Sequence, residues 1–240
     1  MIVCHNIHWN NTSFNIKRDV LFIDNNQLWE GNIHQETRKS INSTIKQLQS
    51  FVVYQSKIWL LDSVNNSIFE FSNNTMKKLN RSGDRLLQPT GFIYDETKQL
   101  FYICDTGNHR ICSMDEKGNV QTIVGKSRKN GYKDGSGTNV LFNSPTGICF
   151  GKTKQILFVT DTDNHVVRKI DISQSYLTTT IGVIQKHSPM VADGISKESM
   201  FHKPYDIYNN NNQSLIVCET FGNIREINLN TEIVQTIYLP

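Results

Sequence analysis

The stretch "PTGICFGKTKQILFVTDTDNHVVRKIDISQSYLTTTIG" (Pro145–Gly182) is close to a second writing of "PTGFIYDETKQLFYICDTGNHRICSMDEKGNVQTIVG" (Pro89–Gly125). Both open on Pro-Thr-Gly, and both carry an Asp-Thr-x-Asn-His run, "DTDNHVVR" (Asp161–Arg168) in one and "DTGNHR" (Asp105–Arg110) in the other. A third, looser copy is "PYDIYNNNNQSLIVCETFGNIREINLNTEIVQTIYL" (Pro204–Leu239). Further back, "FVVYQSKIWLLDSVNNSIFEFSNNTMKKL" (Phe51–Leu79) keeps the cadence without the opening Pro, and "DVLFIDNNQLWEGNI" (Asp19–Ile33) is a faint fifth. Self-similarity at this period marks a repeat architecture, and it has to be settled before any motif is read as chemistry.

Each unit reads as four short strands. In the clearest copy these are Gly147–Phe150, Ile156–Thr160, Val166–Ile170 and Leu177–Ile181, rich in β-branched and aromatic residues and bounded by polar turns. The second strands, "LFYIC", "ILFVT" and "SLIVC", are continuous apolar runs. A strand with one wet face alternates; a continuous run implies cover on both faces. Four-stranded antiparallel sheets stacked around an axis supply that cover, so the expected fold is an all-β propeller forming a single domain over residues 1–240, with about five recognisable blades at 14–50, 51–80, 89–125, 145–182 and 204–240. The Asp-Asn-His run then falls on the turn between second and third strands. Asn, Asp and Gly tolerate positive φ, and Asx side chains bond nearby backbone there, so the first reading of the run is turn chemistry.

Pro-x-Gly, an apolar strand, Asp-Thr-x-Asn-His and a basic third strand together resemble the NHL repeat. The loop "GYKDGSGTNVLFNSPTGI" (Gly131–Ile148) is similar to the long interblade connection of that family, and "VADGISKESMFHKPYDI" (Val191–Ile207) follows it with Asp193-Gly194, Phe201 and Pro204 in register. The resemblance implies a propeller, usually six-bladed, so the ring either closes with five blades or belongs to a larger one. The third copy departs from the pattern, with Glu219 for Asp and "GN" for "NH", and the Phe51 unit reads "DSVNNS". "MIVCHNI" at the start is a candidate strand closing the ring onto the last blade. "QETRKSINSTIKQLQ" (Gln35–Gln49) spaces Ile41, Ile45 and Leu48 as a short helix would.

The bulk composition narrows the classes. The chain of 240 residues is 38% hydrophobic and 20% charged, ordinary for a folded domain. A net charge of +3 is too mild to argue for nucleic acid without a concentrated patch. No apolar run of roughly 18 residues is present, and the start lacks a basic, then apolar leader, so no membrane segment and a cytoplasmic location are expected. The five cysteines are an odd number without a Cys-x-x-Cys spacing, and Cys104, Cys149 and Cys218 sit in apolar runs, which reads as reduced, buried thiols. Trp59, within "KIWLL", reads as core.

Counting strand directions puts the Asp-Asn-His turns and the Asp-Gly loops on one side of the disc. The candidate binding residues on that loop face are Asp105, Asn108, His109, Asp161, Asn164 and His165, with the basic cluster Lys126, Arg128, Lys129 and Lys133 around Tyr132. Cations beside an aromatic can hold phosphates and stack a base. A protein is the expected partner and RNA the second, with the oligomeric state open and no cofactor. The alternative is a metal-dependent propeller enzyme of the lactonase or amidating-lyase type, holding calcium or zinc in the channel. A zinc site of that kind needs three convergent ligands. Asp206, with His202 and Tyr205, is the weak candidate set. Three convergent acidic or His residues in the channel would favour the enzyme, and a hydrophobic or Thr-lined channel would speak against it. Arg168 and Arg225 read as solvent-facing positions of a third strand.

Overall fold

In the computed structural model the structure describes residues 19–24, 27–32, 38–40, 45–54, 57–72, 75–80, 86–183 and 191–237, the first three segments as backbone only. The strands are β1 (Asp19–Asp24), β2 (Gln27–Asn32) and β3 (Arg38–Ser40); β4 (Leu48–Tyr54), β5 (Lys57–Asp62), β6 (Ser67–Ser72) and β7 (Thr75–Lys78); and β8 (Phe92–Asp95), β9 (Leu100–Asp105), β10 (Arg110–Asp115) and β11 (Val120–Gly125). Then come β12 (Gly135–Ser136), β13 (Pro145–Phe150), β14 (Ile156–Asp161), β15 (Val166–Asp171) and β16 (Leu177–Ile181), and finally β17 (Gly194–Ile195), β18 (Pro204–Asn210), β19 (Ser214–Glu219), β20 (Ile224–Asn228) and β21 (Ile233–Ile237).

They form five antiparallel sheets in chain order, termed blades one to five. Blade one is β1-β2-β3; blades two and three are four-stranded meanders; blades four and five are meanders with a short extra strand, β12 or β17, added outside the last strand. The extra strands are the Asp-Gly loops, each folded forward onto the outermost strand of the blade it leads into, with Gly135 opposite Thr178 and Gly194 opposite Val234. First strands lie beside one another around the centre, β4 next to β8, β8 next to β13 and β13 next to β18. This is the all-β propeller of four-stranded blades that the repeat predicts.

The continuous apolar second strands feed two cores at once. In β14, Leu157 and Val159 pack with Tyr102, Cys104 and Ile93 of blade three, while Phe158 points the other way, into a cluster with Ile207 and Val217 of blade five. Alternation is present, but both faces are interior. Trp59 is fully buried, 4.5 Å from the Tyr94 ring and edge-on to Phe101 at 4.9 Å.

The helical spacing of Ile41, Ile45 and Leu48 does not make a helix where residues are described: Arg38–Ser40 is strand β3 and Leu48 already begins β4. Ile45 and Leu48 are instead packed with Phe51, Ile58 and Leu60, so tertiary burial overrides a local period. Gln35 and Ile41, like "MIVCHNI", Lys186 and His187, lie outside the described residues. The cysteines Cys104, Cys112 and Cys149 are free and buried, and Cys218 is half-buried. Cys104 and Cys112 do not oppose each other: their register partners are Ile111 and Ile103, and their side chains enter different cores. No helix among the described residues is long and apolar enough to cross a membrane, which says nothing of a β-barrel.

The glycine of Pro-Thr-Gly is dictated by how closely the first strands approach. A Cβ on Gly147 would stand 2.8 Å from the Asp206 Cα, and one on Gly91 would stand 2.3 Å from the Thr146 carbonyl oxygen. Backbone cannot yield as a side chain can, so Gly91→Ala and Gly147→Ala are each expected to cost about 1–3 kcal/mol. The urea midpoint should fall in both variants; an unchanged midpoint would contradict this blade contact.

Candidate functional site

The loop face is built on four buried carboxylates, each ending a second strand: Asp62, Asp105, Asp161 and Glu219. Each accepts a backbone N–H from the loop that enters its own blade. Asp62 accepts from Lys46 at 3.0 Å, Asp105 from Leu87 at 2.7 Å, Asp161 from Asn143 at 2.7 Å and Glu219 from His202 at 2.8 Å. Each also accepts from an Asn of its turn, Asn65, Asn108, Asn164 or Asn223, all at 2.8–2.9 Å. The predicted Asp105, Asn108, Asp161 and Asn164 are therefore brought together, and their polar capacity is turned inward.

The histidines complete the turn. His109 and His165 are left-handed, at φ 55 and 59, closing one turn of 3₁₀ helix each. Their side chains reach the next blade, where His109 Nδ1 accepts from the Ser144 N–H at 3.0 Å and His165 Nδ1 from the Lys203 N–H at 3.1 Å. A ring nitrogen that accepts must be unprotonated, so both imidazoles are held neutral, and burial moves both below their ordinary 6.5.

Threonines form a second tie between blades. Thr90 and Thr106 Oγ1 are 2.7 Å apart and face the carbonyls of Thr146 and Pro145 in the next blade, at 2.9 and 2.6 Å. One blade on, Thr146 and Thr162 Oγ1 are 2.6 Å apart and face the carbonyls of Tyr205 and Pro204, at 2.6 and 2.7 Å.

The sequence reading of Arg168 and Arg225 is overturned, because both are fully buried. Arg168 donates to Asp161 at 2.7 Å, to Asp134 of the first Asp-Gly loop at 2.7 Å, and to the Lys133 and Leu141 carbonyls at 3.0 and 3.1 Å. Arg225 repeats the device with Asp193 at 2.9 Å, the Ala192 and Met200 carbonyls at 2.8 and 2.7 Å, and Glu219 at 3.4 Å. Their signal in the sequence was joint: an Arg on each third strand, at one register offset from the strand-end acid, preceded by an Asp-Gly loop. Burial pushes the Asp161 carboxyl up from 3.8 to about 6, against the pull of Arg168 and the Asn164 and Asn143 donors.

The basic cluster divides. Lys126, Arg128 and Lys129 are exposed on a tight turn, with the Arg128 N–H donated to the Asn108 carbonyl at 3.0 Å. Tyr132, 42% exposed, has its ring over Arg168 at 5.1 Å and its hydroxyl 3.1 Å from Thr180 Oγ1. The weak metal candidates also separate. His202 stacks between Phe221 at 4.4 Å and His165 at 5.8 Å, whereas Asp206 lies against Gly147 and accepts its neighbour's N–H, from Ile207, at 2.9 Å. Tyr205 has its hydroxyl bonded by Gln49 of blade two. Among the described residues no three His, Cys, Asp or Glu side chains gather closely enough to hold a metal ion.

In fold the chain is similar to a chain of the nidogen/laminin complex (TM-score 0.65, 14% identity, covering 89% of this chain and 72% of that one). Streptogramin B lyase (0.64, 14%, 93% and 66%) and the WD40 β-propeller domain of Doa1 (0.62, 10%, 93% and 66%) are similar too. The class is thus a β-propeller. No family model matches the chain. In sequence it is similar to NHL repeat-containing protein 2 of Bos taurus, 32% identical over 111 residues, and of Homo sapiens, 30% identical over 108 residues. The matches take in 46% and 45% of this chain and 15% of each relative, so the chain spans only a small part of their length. A third relative is Protein SUPPRESSOR OF QUENCHING 1, chloroplastic, of Arabidopsis thaliana, 29% identical over 119 residues, which are 50% of this chain and 11% of that protein. With the Asp-Thr-x-Asn-His motif in place on two turns and looser forms of it on two more, the chain is an NHL-repeat β-propeller.

Two stability outcomes follow. Asp161→Ala leaves a buried guanidinium short of its countercharge and should cost about 3–5 kcal/mol. Asp134→Ala removes the partly exposed partner of the same Arg and should cost at most about 1 kcal/mol. Urea denaturation of both variants checks the ranking. For pH, the unfolded chain takes up protons at His109 and His165 before the folded one does, so their contribution to stability is lost as pH falls through 6.5. Asp161 works in the opposite sense, its contribution being lost as pH rises from 3.8 to about 6. Comparison with a His109→Asn, His165→Asn double variant, which keeps residues tolerant of the left-handed backbone, isolates the imidazoles. The wild type should lose more stability than the variant between about pH 7.5 and 6.

Proposed function

We propose that this propeller is a non-catalytic binding platform whose loop face docks a protein partner. One observation carries this reading. The turns are fixed by buried carboxylates and interblade bonds, yet around their apices lie exposed groups, with Phe221 67% exposed, Val64 53%, Leu87 of an entry loop 40%, and Lys126, Arg128 and Lys129 beside them. Exposed apolar groups and cations on a rigid, preorganised scaffold are what an interface needs, because little ordering remains to be done on binding. The exposed cations are also the feature on the side of RNA, the second reading.

The enzyme alternative would draw on the first strands. What supports binding over it is that those strands spend their polar groups on one another, through Thr90 and Thr146, and that Asp206 and His202 are engaged in different places. The likeness to streptogramin B lyase, at 14% identity, carries the fold alone.

The test is hydrogen–deuterium exchange of the purified chain with a partner selected from an unbiased display library. Slowed exchange is expected at the turns 62–66, 105–110, 161–166 and 219–224. Protection confined to the opposite hairpins, 95–100, 115–120 and 171–177, would overturn the assignment of the face.

A further inference from the structure

Among the described residues, the charge on the loop face that lacks an ion pair is mostly positive. The strand-end acids are buried, Asp134 and Asp193 hold Arg168 and Arg225, and Asp163 pairs with Lys203 at 3.3 Å. Asp134, Asp163 and Asp193 are exposed but paired, and Glu198, beside the outermost strand of blade five, is exposed with no ion pair among the described residues. The cations Lys46, Lys126, Arg128 and Lys129 are exposed, and none has an ion-pair partner among the described residues. The face therefore presents positive charge whose local counter-charge has been used internally.

Phe221 sits at the apex of the blade-five turn, its ring backed by His202 at 4.4 Å and an interplanar angle of 23°, and His202 backed in turn by His165. Three rings stacked in this way form a rigid platform with one open side. The platform and the cations lie on one connected rim. Arg128 is bonded to the blade-three turn through Asn108, His109 to Ser144, Asn143 to the blade-four turn through Asp163, and His165 to Lys203, next to His202.

We infer that the loop face takes an extended, acidic segment of a partner protein, with its carboxylates over Lys126, Arg128 and Lys129 and one aromatic or large aliphatic residue on the Phe221–His202 stack. This rests on the platform reading above. Charge complementarity selects an anionic partner. A peptide fits better than RNA, because the aromatic within the basic loop, Tyr132, has one face on Arg168 and its hydroxyl held by Thr180, so it cannot turn to sandwich a base. The neighbouring exposed groups Val64 and Leu87 are aliphatic, which suits side chains rather than bases.

The test uses short fluorescein-labelled probes in an anisotropy titration: a peptide alternating Glu and Gly around one Phe, the same with Ala for Phe, the same with Gln for Glu, and oligouridine. The first should bind most tightly, the two controls each about tenfold or more weakly, as loss of a central anchor or of the charge pairs requires. Phe221→Ala should erase the preference for Phe and leave the preference for Glu. Arg128→Glu with Lys129→Glu should erase the preference for Glu and the salt dependence, leaving the preference for Phe. All of these side chains are exposed, so unchanged melting midpoints should accompany the losses. Oligouridine binding more tightly than the first peptide, equal binding of the three peptides, or binding of no probe would each overturn the inference. The platform reading is judged separately, since exchange protection on the turns by a library-selected partner would stand even if every acidic probe failed.

Discussion

A carboxylate buried at the end of the second strand in blades two to five is the constraint from which the loop face follows. Leaving such a group ionised and dry costs several kcal/mol unless donors surround it. Asp161 meets that cost with the Asn143 N–H, the Asn164 amide and the Arg168 guanidinium. Because the first donor belongs to the entry loop and the second to the turn, satisfying one charge fixes both segments of chain. Glu219 shows that geometry rather than residue type is being held. With one more methylene, its turn supplies Asn223 four residues on instead of three, and the entry loop still donates, through His202. In blades three to five the third-strand position facing the acid has two solutions. Arg168 and Arg225 take it in blades four and five, while in blade three it is Cys112, and Arg110 reaches Asp105 from the strand's first residue at 2.7 Å.

The interblade ties change character along the chain. Thr90 with Thr106, and Thr146 with Thr162, bind blade three to four and four to five; blade five has Tyr205 at the first of these positions, and its Thr220 hydroxyl turns back to the Lys203 carbonyl of its own blade. The blade face follows suit. Cys149, Phe158 and Val167 of blade four are buried under blade five, whereas their counterparts Tyr208, Ile216 and Ile224 are only half-buried. The threonine ties thus flank blade four on both sides, and its two junctions carry the basic turn and the aromatic stack.

Strand positions were legible because burial on two sides leaves a signal no surface strand gives, the continuous apolar run. The turn was legible because Asp and then Asn bond nearby backbone in tight turns, although the left-handed residue proves to be the His that follows, His109 or His165. Arg168 was not: in "VVRKI" an arginine beside a lysine looks solvated, and only the return of the distant Asp134 makes burial affordable. Tyr132 failed for the same reason, since its partner is that buried guanidinium. The threonine ties were written in "PTG" and "DTD", yet a hydroxyl that spans two blades has no period to betray it. Phe221 was hidden as a departure from the motif.

That departure shows where specificity can reside. Residues at and three or four beyond the acid are committed to holding the turn, so they cannot vary with a partner. The residue two beyond it is the apex and carries no such duty. There the four described turns show Val64, Gly107, Asp163 and Phe221. Each is chemically distinct: Gly107 gives way to Leu87, which would meet a Cβ there at 2.7 Å; Asp163 is paired to Lys203; Phe221 is stacked on His202. The repeat keeps its frame constant and leaves one position per blade to vary, so the residues that look most like a catalytic set are the frame, and the unlike ones are those that the proposed platform offers to a partner.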